Sequence, residues 1–446
     1  MRLNAMLPSS PDALVIGAGP AGLATAHALL KNGAGSILVV DRDEAPGGLP
    51  QYCRHLGFGW GYTHRLETGP AFTRRLLGAI QHPSLRLLAR TTAMAIRPGP
   101  SVDLVGPECG VITLHPRAVI VATGIRERPR AARLVPGRRP ERGVLTTGQL
   151  QQMVARGVPL PGRRMVVVGT EHVAFSVLLT ARHAGHRVVA LVEPAPRAST
   201  YPALAALTRH VARIPIHLGS RVVDILGDRQ VEGVEIDGPA GRHRIACDSL
   251  VFSGDFIPDA VLAQASGIAI DPRTKGPAVD QHGRTAMPGV FAAGNVLRAV
   301  ESSGFSAIEG ARVGASAAAC LRAPDGWPER SCPIQAAQNS PMWCRSAGRP
   351  APAGRRRSRS ACGYAPGTRR CRSRSRSATR WSGRPRPGSA GRTGASASPT
   401  RRFPRACPRG GRSRSPRRLS GRRFPRSWRR SAARAGPPPA PGTPPA

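Results

Sequence analysis

Asp12-Ala-Leu-Val-Ile-Gly17-Ala-Gly19-Pro20-Ala21-Gly22-Leu-Ala-Thr-Ala-His-Ala-Leu-Leu30 decides the fold. Ala13 to Ile16 is an apolar run of strand length. Gly17, Gly19 and Gly22 follow in the pattern G-x-G-x-x-G, and an Ala/Leu-rich run then predicts a helix to about Asn32, stopped at Gly33. A second apolar strand, Ser36 to Val40, ends on Asp41, 24 residues after the first glycine. Strand, glycine turn, helix, strand and acid together predict a dinucleotide-binding β-α-β unit. In such a unit Gly17 permits the tight turn, Gly19 lets backbone approach a pyrophosphate, and Gly22 lets helix and strand pack closely. The helix N-terminus faces the phosphates, and Asp41 accepts from a ribose hydroxyl.

Working outward, the composition divides the chain. The full 446 residues carry a formal charge of +41, but residues 330–446 hold 30 Arg and no Asp, Glu or Lys, whereas residues 1–329 hold 36 basic and 25 acidic residues. The first part has the composition of a folded protein. The second is rich in Arg, Ser, Pro and Gly and too poor in apolar residues to form a core, so it is expected to be disordered. Runs such as Arg355-Arg-Arg-Ser-Arg-Ser leave three readings open: an electrostatic nucleic-acid arm, a solvated linker, or a shifted reading frame of a GC-rich gene. No specific nucleic-acid partner is expected. Nine cysteines, scattered and without a C-x-x-C, argue against a disulfide framework or a metal cluster and fit a reducing cytoplasm. Neither a signal peptide nor a membrane span is expected.

Further along, Gly47-Gly48 permits close backbone approach, and Cys53 and His55 follow it. Thr68 to Leu77 predicts a capped helix, and 85–97 with 102–114 a β-meander. Ala118 to Val121 is an apolar strand that ends in Ala122-Thr123-Gly124, a small-residue turn suited to lie beneath a cofactor. Leu145 to Ala155 predicts a helix. A second β-α-β begins at Arg164 and ends on Glu193, but its turn reads Gly169-Thr-Glu171-His172-Val-Ala174. Glu171 there puts a side chain and a negative charge where a pyrophosphate would sit, which predicts weak or absent nicotinamide binding. Strands at 215–226, 231–236 and 249–254 come next, with a hairpin near Gly238. Pro288-Gly-Val-Phe-Ala-Ala-Gly294-Asn295 is a strand with a tight turn, and a small-residue helix over about 303–321 follows.

In their order, Gly17/Gly19/Gly22/Asp41, Ala122-Thr123-Gly124 and the stretch from Pro288 to Asn295 resemble the pyridine nucleotide-disulfide oxidoreductase superfamily over about residues 12–325. More closely they are similar to its branch lacking the redox disulfide, near flavoproteins associated with glycerol-3-phosphate dehydrogenases and the α subunits of opine, sarcosine and hydroxyproline dehydrogenases. The resemblance implies an α/β fold of two Rossmann-like dinucleotide-binding domains, the second inserted in the first. The expected boundaries are 1–125 and 286–325 for the FAD-binding domain, 126–160 for a connecting segment, 161–285 for an NAD(P)-binding-like domain and 330–446 for the tail. It implies FAD held by Gly17, Gly19, Pro20, Ala21, Gly22, Asp41, Arg42, Gly48, Ala122, Thr123, Gly124, Gly294 and Asn295, the last standing where the family usually has Asp. NAD(P) stays doubtful.

The implied activity is that of an FAD-dependent oxidoreductase. Electrons would pass from a small donor through the flavin to a nicotinamide, a quinone or a partner dehydrogenase subunit. The rival is a non-catalytic or electron-relay FAD subunit, and nucleic-acid binding through the tail is a second. His55 is a candidate general base or a histidine bonded to backbone near a turn. Cys53 is a candidate nucleophile that lacks a partner thiol.

Overall fold

The computed structural model describes residues 8–323. The Arg-rich segment 330–446, with its three readings, lies outside the described residues. Strand Ala13–Ile16 is buried along its whole length. A four-residue run of Ala, Leu, Val and Ile with no polar face suits the centre of a parallel sheet covered on both sides. It is the middle strand of five, all parallel, in the order Val290–Ala292, Ala118–Val121, Ala13–Ile16, Ile37–Val40, Leu85–Leu88. The first strand pairs in register with both neighbours, Ala13 opposite Ile37 and Ala118. Leu85–Leu88 was expected in the meander; it instead extends the parallel sheet. The meander is three-stranded and starts later, at Thr92–Arg97, Ser101–Gly106 and Gly110–Leu114.

Helix Pro20–Lys31 has Pro at its first position, where no backbone donor is lost. It lies against helix Ser303–Arg322 through small residues on both. A Cβ at Gly310 would sit 2.1 Å from the Ala21 carbonyl oxygen, and one at Gly314 would sit 2.6 Å from that of Thr25. The Thr25 hydroxyl donates to the Gly310 carbonyl at 2.9 Å, so the two helices touch backbone to backbone. Fully buried Leu23 and Leu29 anchor this layer, each contributing about 1.5–3 kcal/mol of apolar burial.

The second sheet repeats the plan. Val144–Thr146, Ser249–Phe252, Arg164–Val168, Arg187–Glu193 and Ile216–Leu218 form five parallel strands in that order, followed by an antiparallel trio, Arg221–Leu226, Gly233–Asp237 and His243–Ala246. Val144–Thr146 comes from the stretch expected to be only a connector. Helix Thr147–Ala155 follows it, held by a capping box between Thr146 and Gln149. A short antiparallel pair, Ile125–Glu127 with Phe256–Pro258, carries the chain between the sheets. Among the described residues no helix is long and apolar enough to cross a membrane.

Candidate functional site

The first glycine turn is built as its spacing predicts. Gly17 has φ +107°, and a Cβ there would lie 2.3 Å from the Ala122 carbonyl oxygen. A Cβ at Gly22 would lie 1.8 Å from the Gly17 carbonyl oxygen, so turn and helix close on each other only with glycine at both positions. Gly19 differs. Its φ of −78° suits any residue, and a Cβ there would find nothing nearer than the Gly48 Cα at 4.0 Å. Its backbone caps helix Pro20–Lys31 with no side chain over the first-turn N–H groups. An open, uncapped helix N-terminus beside two glycines is a cradle for a phosphate group, and a side chain at Gly19 would fill it. Gly48, at φ +63°, packs against this turn, where a Cβ would lie 3.0 Å from the Gly19 Cα.

Asp41 sits at the end of its strand and ties the turn. One carboxylate oxygen accepts from Ala18 N at 2.6 Å and the other from Asp43 N at 2.8 Å. Burial raises its carboxyl above the usual range while these bonds oppose the rise. A carboxylate offers about four acceptor positions, so two remain for a ribose. Arg42 instead pairs with Asp259 at 3.0 Å. The Thr123 hydroxyl donates to the Asp259 carbonyl at 2.7 Å, and Asp259 N donates to Gly124 O at 2.9 Å, so Asp259 staples the Ala122-Thr123-Gly124 turn. Pro20 and Ala21 lie in the first helical turn, and a Cβ at Gly294 would strike Ala21 Cβ at 2.5 Å. Glu309, the lone acid of its helix, accepts from Gly294 N at 3.0 Å and from Arg298 at 2.8 Å. Asn295 spends both ends of its amide on the backbone of Glu301, at 2.8 and 3.1 Å, which closes the loop rather than leaving a free polar group. Beside Gly294 the buried Ser306 hydroxyl has no partner among the described residues. These residues fit a dinucleotide.

Cys53 and His55 are held differently from one another. The Cys53 thiol is buried, donates to Gln151 Oε1 at 3.3 Å, and is pushed up to about 12 by burial. It is a protonated thiol, not an ionised nucleophile. Gln151 passes the chain on to the Ser176 hydroxyl at 3.0 Å, which joins the first sheet's loop to helix His172–His183. His55 Nδ1 bonds the Leu56 carbonyl at 2.9 Å on an exposed turn, the backbone-bonded arrangement. Sequence reasoning missed Asp259, Glu309 and Gln151. Glu309 carried a signal, an acid isolated in a small-residue helix; the other two carried none.

The second turn is closed. Glu171 stands at the position of the second glycine and folds its carboxylate back over the turn. A Cβ at Gly169 would lie 2.6 Å from Glu171 Oε2, and one at Gly254 would lie 2.9 Å from Glu171 Cδ. The Ser253 hydroxyl donates to Glu171 Oε1. Arg133, from the connecting stretch, donates to the carbonyls of Ser253 at 2.9 Å and Gly254 at 2.7 Å. Burial raises the Glu171 carboxyl, opposed by the Ser253 bond. Glu193 is buried and accepts from Thr170 Oγ1 and from Ala195 N at 3.0 Å. Among the described residues no group of His, Cys, Asp or Glu could hold a metal ion.

Two parallel five-stranded sheets, each with a glycine turn after its central strand, define a protein of two dinucleotide-binding folds. Residues 11–318 match the pyridine nucleotide-disulphide oxidoreductase family, and the chain belongs to it. Membership implies FAD. The chain is 27% identical over 322 residues to a subunit of the opine oxidase of Rhizobium meliloti (strain 1021), covering 64% of this chain and 66% of that protein. Over 269 residues it is 28% identical to the alpha subunit of sarcosine oxidase from the same organism, 56% of this chain and 25% of that one. A ferredoxin reductase component of chlorobenzene dioxygenase from Cupriavidus sp. (strain PS12) is 28% identical over 63% of this chain and 66% of its own length. The chain therefore spans less than two thirds of these relatives. Among solved structures, T. acidophilum thioredoxin reductase superposes with a TM-score of 0.59 at 20% identity, over 70% of this chain and 99% of that one. L-proline dehydrogenase from P. horikoshii superposes with a TM-score of 0.51 at 18% identity, over 68% and 54%. These likenesses bear on the fold.

Proposed function

We propose that this chain is an FAD-dependent electron-transfer subunit of a dehydrogenase or oxidase. It would take electrons from a small donor or from a partner chain, then pass them on without a nicotinamide bound at its second turn. The observation that carries this reading is the contrast at one position of the two turns: open backbone at Gly19, a folded-back carboxylate at Glu171. FAD, when bound, supplies two-electron redox chemistry. Gly19 and the uncapped helix behind it would receive the pyrophosphate, and Asp41 the adenosine ribose. The Ala122-Thr123-Gly124 turn, stapled by Asp259, and the loop at Gly294, held by Glu309, would fix the cofactor's two flanks. Ser306 would give its unpartnered hydroxyl a bond.

At the second turn Glu171 excludes a pyrophosphate by charge and by volume. Thiol chemistry finds no support, since among the described residues Cys53 has no second cysteine beside it and burial keeps it protonated. The relatives named as subunits of opine and sarcosine oxidases support a partner chain. The test is purified protein: a flavin spectrum, then anaerobic bleaching. Flavin that is reduced slowly or not at all by NADH and NADPH, but readily by a secondary amino acid together with a partner chain, is the expected result. Fast bleaching by micromolar NADH defeats the reading.

A further inference from the structure

The stretch between the two sheets builds a cavity that neither glycine turn uses. Arg130 folds residues 130–138 around itself, donating to the carbonyls of Val135 at 3.2 Å, Pro136 at 2.9 Å, Gly137 at 2.6 Å and Arg138. Between this loop and strand Val144–Thr146 lies a cavity of about 490 Å³. That size falls within the range of roughly 300–1,000 Å³ typical of small-molecule sites. Most of its lining is apolar, with half-buried Val135, Val144 and Leu145 and buried Phe252 at its floor and Leu134 exposed at its rim.

The polar groups in the wall are unbalanced. Arg130, Arg139, Thr146 and Gln149 line the cavity, and no Asp or Glu does. Arg130 has committed its donors to the loop carbonyls. Arg139 has no carboxylate or carbonyl partner among the described residues; burial lowers the pKa of the Arg130 guanidinium, the nearby Arg139 charge lowers it further, and Asp224 opposes the fall. Gln149 gives its oxygen to Thr146 N at 3.0 Å, which leaves its NH₂ unused. The pocket thus offers the donors of two exposed side chains, Arg139 and Gln149, beside an apolar floor of Val144, Leu145 and Phe252, and no acid is among its lining residues. An anion with a hydrocarbon body answers both features, whereas a hydrated inorganic ion answers only the first.

We propose that this pocket binds a small organic carboxylate, its charged end on Arg139 and the Gln149 amide and its apolar body against Val144, Leu145 and Phe252. The site is separate from the flavin cradle and does not depend on how the second turn is used. Phe252 is followed directly by Ser253 and Gly254, whose carbonyls Arg133 holds, so an occupant would sit one residue from the closed turn.

Calorimetric titration of the full-length, flavin-loaded protein tests it. The probes are phenylacetate and hexanoate, with phenylacetamide as the neutral match and inorganic phosphate as the bare anion. At least one carboxylate is expected to bind in a way that Arg139→Gln weakens, while phenylacetamide binds at least tenfold more weakly and any phosphate binding is indifferent to Arg139→Gln. Arg139→Gln, a change at an exposed side chain, is expected to weaken the carboxylate on the order of tenfold, the size of one lost charged contact. Ala131→Trp, on the exposed rim, is expected to block it by occupying the space. Unchanged flavin absorbance and melting temperature show that both variants fold. The Arg-rich residues 330–446 would attract any anion, phosphate included, which is why the amide and the response of each anion to Arg139→Gln decide the outcome. The proposal is overturned if neither carboxylate binds at millimolar concentration, if the amide binds as tightly, if Arg139→Gln weakens phosphate as much as the carboxylate, or if Arg139→Gln leaves carboxylate affinity unchanged.

Discussion

At Gly19 of the first turn a Cβ would meet nothing nearer than the Gly48 Cα at 4.0 Å; at Glu171 of the second turn a carboxylate folds back over the backbone at Gly169 and Gly254. The strands around the two turns follow the same order, and each turn is anchored by the acid at the end of its second strand, Asp41 onto Ala18 and Glu193 onto Thr170. The scaffold is therefore held in common, and what differs is the Glu171 side chain over the second turn, with Arg133 on the carbonyls beside it. A dinucleotide fold does not by itself make a dinucleotide site. The fold comes from buried strands, a close-packed helix and the acid that ties the turn, all present twice. The site also needs empty space at one glycine, present once.

The largest expected effect strikes the scaffold itself. Gly22→Val would place a Cβ 1.8 Å from the Gly17 carbonyl oxygen, where neither backbone can give way. Loss of at least about 3 kcal/mol of stability is expected, at the upper end of overpacking costs, together with loss of flavin. Urea unfolding checks it, and a midpoint unchanged from the parent would show that the turn is looser than its packing implies. Gly19→Glu should behave in the opposite way. Its Cβ meets open space and its φ suits any residue, so the fold should survive while the side chain fills the cradle as Glu171 fills the second. Protein with a native melting curve and no flavin absorbance, even after incubation with FAD, is expected. Retained flavin would break the comparison at its centre.

The reverse exchange is subtler. Glu171→Gly removes the plug but leaves Arg133 on the Ser253 and Gly254 carbonyls and Glu193 on Thr170. Nicotinamide affinity should rise on the order of tenfold, about 1.4 kcal/mol, since one obstruction of several has gone. Fluorescence titration with NADH measures this. No gain would mean that the Arg133 contact, rather than Glu171, closes the turn.

The plug was legible in the sequence because a charged residue replaced a glycine at a fixed position in a recognisable pattern. The strand, the helix and Asp41 were legible for the same reason: local periodicity and a short-range motif. What stayed hidden depends on distant residues. Leu85–Leu88 reads equally as the first strand of a meander or as an edge of the parallel sheet, and only its pairing with Ile37–Val40 decides. Nothing local marks Asp259 as the staple of a turn 136 residues away, or Gln151 as the partner of Cys53. Arg42 follows Asp41 in sequence, yet its side chain turns to Asp259. Asn295 matches the family position, but its amide is consumed by its own loop. Motifs fix where backbone goes; hydrogen-bond partners of exposed or long side chains are fixed by elements that arrive from elsewhere in the chain.

The smallest effect concerns the charge state of the plug. Burial raises the Glu171 carboxyl, so the folded protein holds that proton more tightly than the unfolded chain, whose carboxyl titrates near 4.5. The sign follows from linkage: the folded state gains stability from the protonated carboxyl, fully below about pH 4.5, and loses it as pH rises through the raised value. At neutral pH the ionised form carries its desolvation cost, offset in part by the Ser253 hydroxyl and by Arg133 nearby. Glu171→Gln keeps the shape and removes the titration. Below the unfolded value the two proteins should melt alike. As pH rises toward 7 the parent should fall behind the variant, by on the order of 1 kcal/mol, with most of the change between the two carboxyl values. Melting curves of parent and variant across this range give the difference directly. A constant difference would mean that Glu171 titrates as a solvated acid and so leaves room beside Gly169 for water. A difference of opposite sign would mean that its ionised form is the stabilised one, held by Arg133 and Ser253 as a built ion pair. In either case the second turn would be less tightly plugged, or plugged for a different reason, than the packing of Glu171 against Gly169 and Gly254 implies.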